Sequence, residues 1–358
     1  MNMKFLLSTL ILTSSVITAN AQWQQSLGSE NLDVQSLLTT SEYDFFGGAT
    51  GAYRSSDESG TYTFSNSGND SMGPTRSLTE DGTFIYTCTS QGVFRSSDNG
   101  DNWNNYSSGI SQGLSHGIIS SEENLFLSTL SGVFHSNDHG ENWTSAGMSG
   151  IDCRSICMVQ DSILFVGTQG SGVYKSTDEG QNWTAVNNGL TSENFRAIQA
   201  QGSTVFAGGQ NGTGVYRSTD YGDNWTLLTN GIASSSYRGF ASNSSIVLAG
   251  STSQGVFYSL DNGESWTQIN EGLLDLNVFD LELNNNYIVA ATHTQGVFRF
   301  PLSDIFTNDI LEADVHLNRT LIKVVDVLGR ETNVQPNIPQ LYLYDDGSVE
   351  KKVIVQHR

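Results

Sequence analysis

Short apolar runs punctuate this chain at near-constant intervals. SILFV (162–166), STVFA (203–207) and SIVLA (245–249) are each followed by a GV[FY] pattern, a polar turn and a tryptophan. An apolar run of this length between turn signals predicts a strand buried on both faces, and the β-branched and aromatic pair predicts a second strand beside it. In the best-formed unit the pattern predicts four strands, at 154–159, 163–167, 172–176 and 183–186, ended by the breaker Asn187, Asn188, Gly189. The heart of the unit is GVYKSTDEGQNW, starting at Gly172. Near-copies start at Gly92, Gly132, Gly214 and Gly255, with decayed forms at Gly51 (GAYRSSDESG) and Gly296 (GVFRF). The steps between these glycines are 41, 40, 40, 42, 41 and 41 residues. That period, with four strands per unit, predicts an all-β, seven-bladed propeller over residues 22–302.

The last unit, from Val278, has inner, second and third strands but runs into Pro301 and loses its tryptophan. Near the N-terminus, Trp23 and the QQSLG after it align with Trp183 and its successors, yet no inner strand precedes them. The N-terminal strand is therefore expected to complete the last blade, which would remove an unpaired sheet edge.

In the repeated S-x-D-x-G-x-x-W, the aspartate is expected to fold its carboxylate onto backbone N–H groups of the turn, the glycine to take a positive φ, and the tryptophan to anchor the turn on the sheet. The residues are Asp98, Gly100 and Trp103; Asp138, Gly140 and Trp143; Asp178, Gly180 and Trp183; Asp220, Gly222 and Trp225; Asp261, Gly263 and Trp266. An EF-hand-like calcium loop is the rival reading of DNGDN (98–102), but the turn is too short to supply the ligands, so neither metal nor cofactor is expected. The motif resembles the Asp box, or BNR repeat, of sialidases, sortilin-type receptors, family 74 glucanases and photosystem assembly factors. The resemblance implies a structural turn on the propeller face away from the ligand, so it names a fold and not an activity.

Composition and charge narrow the partners. The chain has 358 residues with 37 Gly, 4 Pro and 15% charged residues, the profile of a turn-rich β protein. Its formal charge of −21 argues against nucleic acid and anionic membrane as partners, and a monomer is expected. Three cysteines, Cys88, Cys153 and Cys157, make no disulfide framework and read as buried thiols. Residues 1–21 read as a signal peptide: Lys4, an apolar core over 5–17, then Ala19-Asn20-Ala21 as cleavage site. No other apolar stretch is a candidate span. Residues 303–358 leave the repeat; LIKVVDVLGRE (321–331) reads as strand and turn, and QLYLYDDGSVEKKVIV (340–355) as a hairpin turning at Asp346-Gly347. These segments resemble the C-terminal sorting signal of Bacteroidetes type IX secretion cargo. The resemblance implies a protein that is secreted or displayed on the outer cell surface, with the type IX machinery as a partner.

Candidate chemistry lies in the arginines. Eight lie between the signal peptide and the tail, all at two repeat positions. Arg54, Arg95, Arg217 and Arg299 follow GV[FY] or its decayed form, where His135, Lys175 and Tyr258 stand in other units; their long stems are expected to cover sheet and pair with carboxylates. Arg76, Arg154, Arg196 and Arg238 open the inner strands, with His116 and Gln35 at the same place. Inner strands ring a propeller's channel, so these cations should converge at one channel mouth, opposite the S-x-D-x-G turns, and bind a carbohydrate or protein ligand with an anionic group. FRAI and YRGF are similar to fragments of the sialidase FRIP motif, without its proline. That resemblance implies, as the alternative, an exo-acting glycoside hydrolase. Tyr237, Glu193, Asp152, Asp275 and Asp280 lie in or beside loops of that face, but no spacing selects a catalytic pair among them.

Overall fold

The structure, a computed structural model, describes residues 22–306 apart from 66–71, 111–113, 123 and 161, and in the tail residues 321–325, 330, 332, 340–344 and 349–352. The expected signal peptide and the Asp346-Gly347 turn lie outside the described residues.

Seven four-stranded antiparallel sheets form the ring, six of them from consecutive strands. The seventh joins Val278–Leu283, Tyr287–Thr292 and Gly296–Pro301 to Gln24–Gln25, with Gln24 opposite Arg299 and Gln25 opposite Phe298. The chain's two ends thus close the last blade. The fourth blade comprises Cys153–Val159, Ile163–Thr168, Val173–Ser176 and Thr184–Ala185, so its outer strand is two residues long and Trp183 stands just before it. The indole is withdrawn from its own sheet because Nε1 donates to Ala146 O of the preceding blade at 2.8 Å. Trp103, Trp143 and Trp225 reach Ser65, Tyr106 and Val186 in the same way, and Trp23 reaches Ile269 at 2.6 Å. The expected anchor is therefore cast between blades.

Within each turn the aspartate acts as expected, and the serine adds what the sequence reading did not assign. Asp178 Oδ1 accepts Asn182 N at 2.8 Å, and Gly180 has φ 81°. Ser176 Oγ accepts Gly180 N at 2.9 Å while donating to Asp178 Oδ1 at 2.8 Å, so one hydroxyl holds both arms of the turn. Asn182 Nδ2 donates to Asp178 Oδ2, so the asparagine just before Trp183 is engaged within the turn.

A glycine ends five of the outer-strand segments, Gly28, Gly109, Gly189, Gly231 and Gly272, and there the blades touch through backbone. A Cβ on Gly189 would lie 2.1 Å from Trp225 O, and one on Gly272 would lie 2.5 Å from Trp23 O. Trp225 N donates to Asn188 O, and Trp23 N to Glu271 O, each beside its glycine. Only a residue without a side chain, and with positive φ, fits this approach.

The cations after GV[FY] pair forward around the ring. Arg54 meets Asp101, Arg95 meets Glu141, Lys175 meets Asp223 and Arg217 meets Glu264, each on the next blade's turn. Each also donates to a turn carbonyl there, at Asn99, His139, Tyr221 and Asn262 respectively. Arg299 does the same to Asp57 O and Glu58 O, which carries the pattern across the closure. Apolar clusters fill the joints between blades; one sets Phe165 of the fourth against Phe195, Tyr216 and Trp225 of the fifth. The three cysteines are buried free thiols, and burial pushes Cys88 and Cys153 up to about 12.

The chain divides into two compact units between Leu302 and Ser303. The second contains an antiparallel three-stranded sheet of Leu321–Val325, Gln340–Tyr344 and Val349–Lys352.

Candidate functional site

All seven inner strands carry the same irregularity. Register slips by one residue between Val34 and Ser36, Thr75 and Ser77, Ser115 and Gly117, Cys153 and Ser155, Phe195 and Ala197, Tyr237 and Gly239, and Val278 and Asp280. The extra residue in each bulge is Gln35, Arg76, His116, Arg154, Arg196, Arg238 or Phe279. A bulge turns its extra residue out of the pleat and often re-aims a side chain toward a site. All seven line one cavity of about 530 Å³ at the centre of the ring. The structure thus brings together the five predicted ligand residues, Arg76, His116, Arg154, Arg196 and Arg238. Phe279 is the member sequence reading missed; VFDL aligns with YRGF, but a search for cations passes over it.

The guanidinium groups differ in their partners. Arg238 lies 3.6 Å over the Phe279 ring and donates to Gln35 Oε1 at 3.4 Å. Arg154 is held by Asp152, two residues before it. His116 Nε2 stands 3.4 Å from the other Asp152 oxygen, too poorly aligned for a hydrogen bond. Arg76 and Arg196 have no hydrogen-bond or ion-pair partner among the described residues. The Nε atoms of Arg76, Arg154 and Arg196 are buried and unbonded.

Crowding of like charge shows in the titration of the group. Burial, then the charges of Arg154, Arg76, Arg196 and Arg238, pushes His116 down to about 3, so its imidazole is neutral at pH 7. Burial and Arg196 lower Arg238 to about 10; burial and Arg154 lower Arg196 as well.

The other candidates divide between the cavity and its surroundings. Asp280, expected in or beside a loop, is on the inner strand Val278–Leu283 and lines the cavity. The bulge at Phe279 is what admits it. Two residues on, Glu282 lines the same wall and was not singled out from sequence, where VFDLEL reads as an ordinary alternating strand. Burial raises Asp280 to about 7 against the pull of Leu37 N–H, Leu281 N–H and Arg238; burial and Asp280 raise Glu282 to about 8. Tyr237 is buried with its hydroxyl donated to Ala233 O at 2.8 Å, and burial raises it. Asp275 accepts Thr294 N and Oγ1 at 2.8 Å, and Glu193 is exposed on its loop. None of these three lines the cavity.

A family model described as the DUF6242 beta propeller domain matches residues 145–295. The sequence matches no curated protein. Among solved structures, the chain is similar to the GH74 enzyme of Niastella koreensis, with 20% identity over 76% of this chain and 43% of that one, TM-score 0.60. It therefore spans less than half of that enzyme's length. It is also similar to YCF48 bound to D1 peptide, with 15% identity over 78% of this chain and 96% of that one, TM-score 0.63. A third similar structure is the extracellular domain of the putative hybrid two-component system BT4673 from B. thetaiotaomicron, with 15% identity, 78% and 39% coverage and TM-score 0.65. At these identities the likeness is one of fold.

Proposed function

We propose that this propeller is a binding module that takes an anionic group of an extracellular carbohydrate or protein ligand into its channel mouth. The observation that carries the reading is the pair Arg76 and Arg196, two guanidinium groups without a partner among the described residues, in the channel cavity that also holds Arg154 and Arg238. Charge in such a place is costly unless something negative meets it, and Asp152 is already engaged by Arg154. Carboxylate, sulfate and phosphate all fit a guanidinium's two-point geometry. A propeller of similar fold, YCF48, has been solved with a bound peptide, which supports a single ring as sufficient for binding. The buried, hydrogen-bonded hydroxyl of Tyr237 counts for binding over sialidase-like transfer, since it is the tyrosine that reading would need as nucleophile. The test is an array of acidic glycans and acidic peptides, run beside a hydrolysis assay on sialosides and plant and algal glycans. Saturable binding without turnover supports the module; turnover would replace it with the glycoside hydrolase.

We further infer that the protein is exported and that residues 303–358 act as a type IX sorting signal. Among the described residues no helix is long and apolar enough to cross a membrane, and the ring is complete without the tail. Removing residues 321–358 is expected to leave a folded propeller retained in the periplasm of its host. Its normal appearance outside the cell would reject the sorting role.

A further inference from the structure

The seven inner strands are an internal alignment, and one of them breaks the pattern. At the position after the bulge, six blades carry a small neutral residue: Ser36, Ser77, Gly117, Ser155, Ala197 and Gly239. The seventh carries Asp280. Two residues further, six blades carry Leu38, Thr79, Ile119, Cys157, Gln199 and Ala241, all without charge, and the seventh carries Glu282. The blade with both acids is one of two whose bulge residue is not basic, the other being the blade of Gln35. It lies between the blade of Arg238 and the blade of Gln35, and both acids line the same cavity as the four arginines.

Resting on the anion-site reading above, we propose that Asp280 and Glu282 make the channel a proton-linked anion site, which captures its ligand when both carboxyls are protonated and releases it as they ionise. The contacts of the pair are specific. Asp280 Oδ2 accepts Leu37 N from the first blade and Oδ1 accepts Leu281 N, each at 2.9 Å. Arg238, stacked on Phe279 next to Asp280, is the cation that pulls on Asp280, and besides burial it feels Arg196, Asp33, Asp280 and Arg76. Glu282 Oε1 accepts Leu283 N at 3.3 Å, and its other oxygen has no partner among the described residues. Among the described residues of the strands packed on this one, the charged groups that act on the pair are Arg238 on the sixth blade, on Asp280, and Asp44 on the first blade's second strand, on Glu282, while Asp33 beside Gln35 acts on Arg238. Asp33 is met by His293 at 3.2 Å, and Asp44 accepts Ser59 Oγ and Asn284 Nδ2. Asp280 and Glu282 are half-buried because they open onto the channel, but protein walls surround that opening, so hydration of an ionised carboxylate is poor there.

The sign follows from linkage. An anion beside the pair raises both carboxyl pKa values further, so binding takes up protons, and affinity is highest below the free-state values of about 7 and about 8 and falls as pH rises through them. Loss of positive charge on Arg238 near its value of about 10 acts in the same direction. His116 does not contribute near neutrality, being already neutral.

The experiment is calorimetric titration of the whole protein with inorganic sulfate, whose charge is constant across the range, at fixed ionic strength from about pH 6 to about pH 9. The dissociation constant is expected to rise about tenfold or more between these limits. Near pH 7.5, heats in buffers of differing ionisation enthalpy should show proton uptake, a readout that needs no variant. Glu282→Gln should flatten about half of the pH dependence; Asp280→Asn is the harsher change, since its amide cannot accept both backbone N–H groups. Sulfate binding that is independent of pH and takes up no protons, but is lost in Arg76→Ala, would overturn the proton link and leave the anion site standing. Failure to bind sulfate at either pH would remove both.

Discussion

Deleting residues 22–27 is expected to lower the melting temperature by on the order of 10 °C, far more than removing an exposed loop of equal length. The segment is short, but it supplies the seventh blade's outer strand. Trp23 is 3% exposed, tilts onto Phe300 at 5.5 Å, and spends both its Nε1 and its backbone N–H on the sixth blade. Losing a buried tryptophan alone costs about 3–5 kcal/mol, and each backbone hydrogen bond left unmade adds about 1 kcal/mol. Two consequences compound. Gly296–Pro301 acquires an open edge, and Leu27 no longer pairs with Gly60 and Tyr62 in the first blade. The check is thermal unfolding of the truncated and full proteins side by side. A truncated protein that melts within a degree or two of the parent would show that the ring does not depend on this closure.

Changing Arg76 and Arg196 to Ala, singly and together, is expected to weaken anion binding strongly without loss of stability. Each lost charge-assisted contact should weaken binding by about 1.5–3 kcal/mol, roughly 10- to 150-fold, and the pair by more. Stability should hold or rise, because neither side chain has a partner among the described residues to lose and each feels the repulsion of the other cations. Arg238→Ala is the contrasting variant: it forfeits the stack on Phe279 and the bond to Gln35, so it should lower the melting temperature as well as binding. Sulfate titration and thermal unfolding of the same preparations separate the cases. If Arg76→Ala and Arg196→Ala bind as the parent does but melt lower, these arginines serve the fold.

What the sequence determined by itself was whatever repeats. A turn such as Ser176 to Trp183 is local: its hydrogen bonds span two to four residues, so the same letters produce the same geometry five times, and the period counts the blades. Closure was legible too, because an outer strand missing at one end and supernumerary at the other have one topological solution. The cation position was visible as a column of the repeat, at Arg76, His116, Arg154, Arg196 and Arg238. Which of those cations are free was not, since Arg154 is held by a loop aspartate and Arg238 by a phenylalanine about forty residues later in the chain. Nor could the sequence show that Trp183 serves the neighbouring blade, or that Arg95 clamps a turn on the next one. Those contacts run between units, and a repeat fixes what each unit is while leaving the joint to be decided by packing. Asp280 and Glu282 make the point most sharply. In sequence they are two acids on an alternating strand; only the bulge at Phe279 and the curvature of the ring put them in a poorly hydrated channel beside four arginines, where burial moves them toward neutral pH.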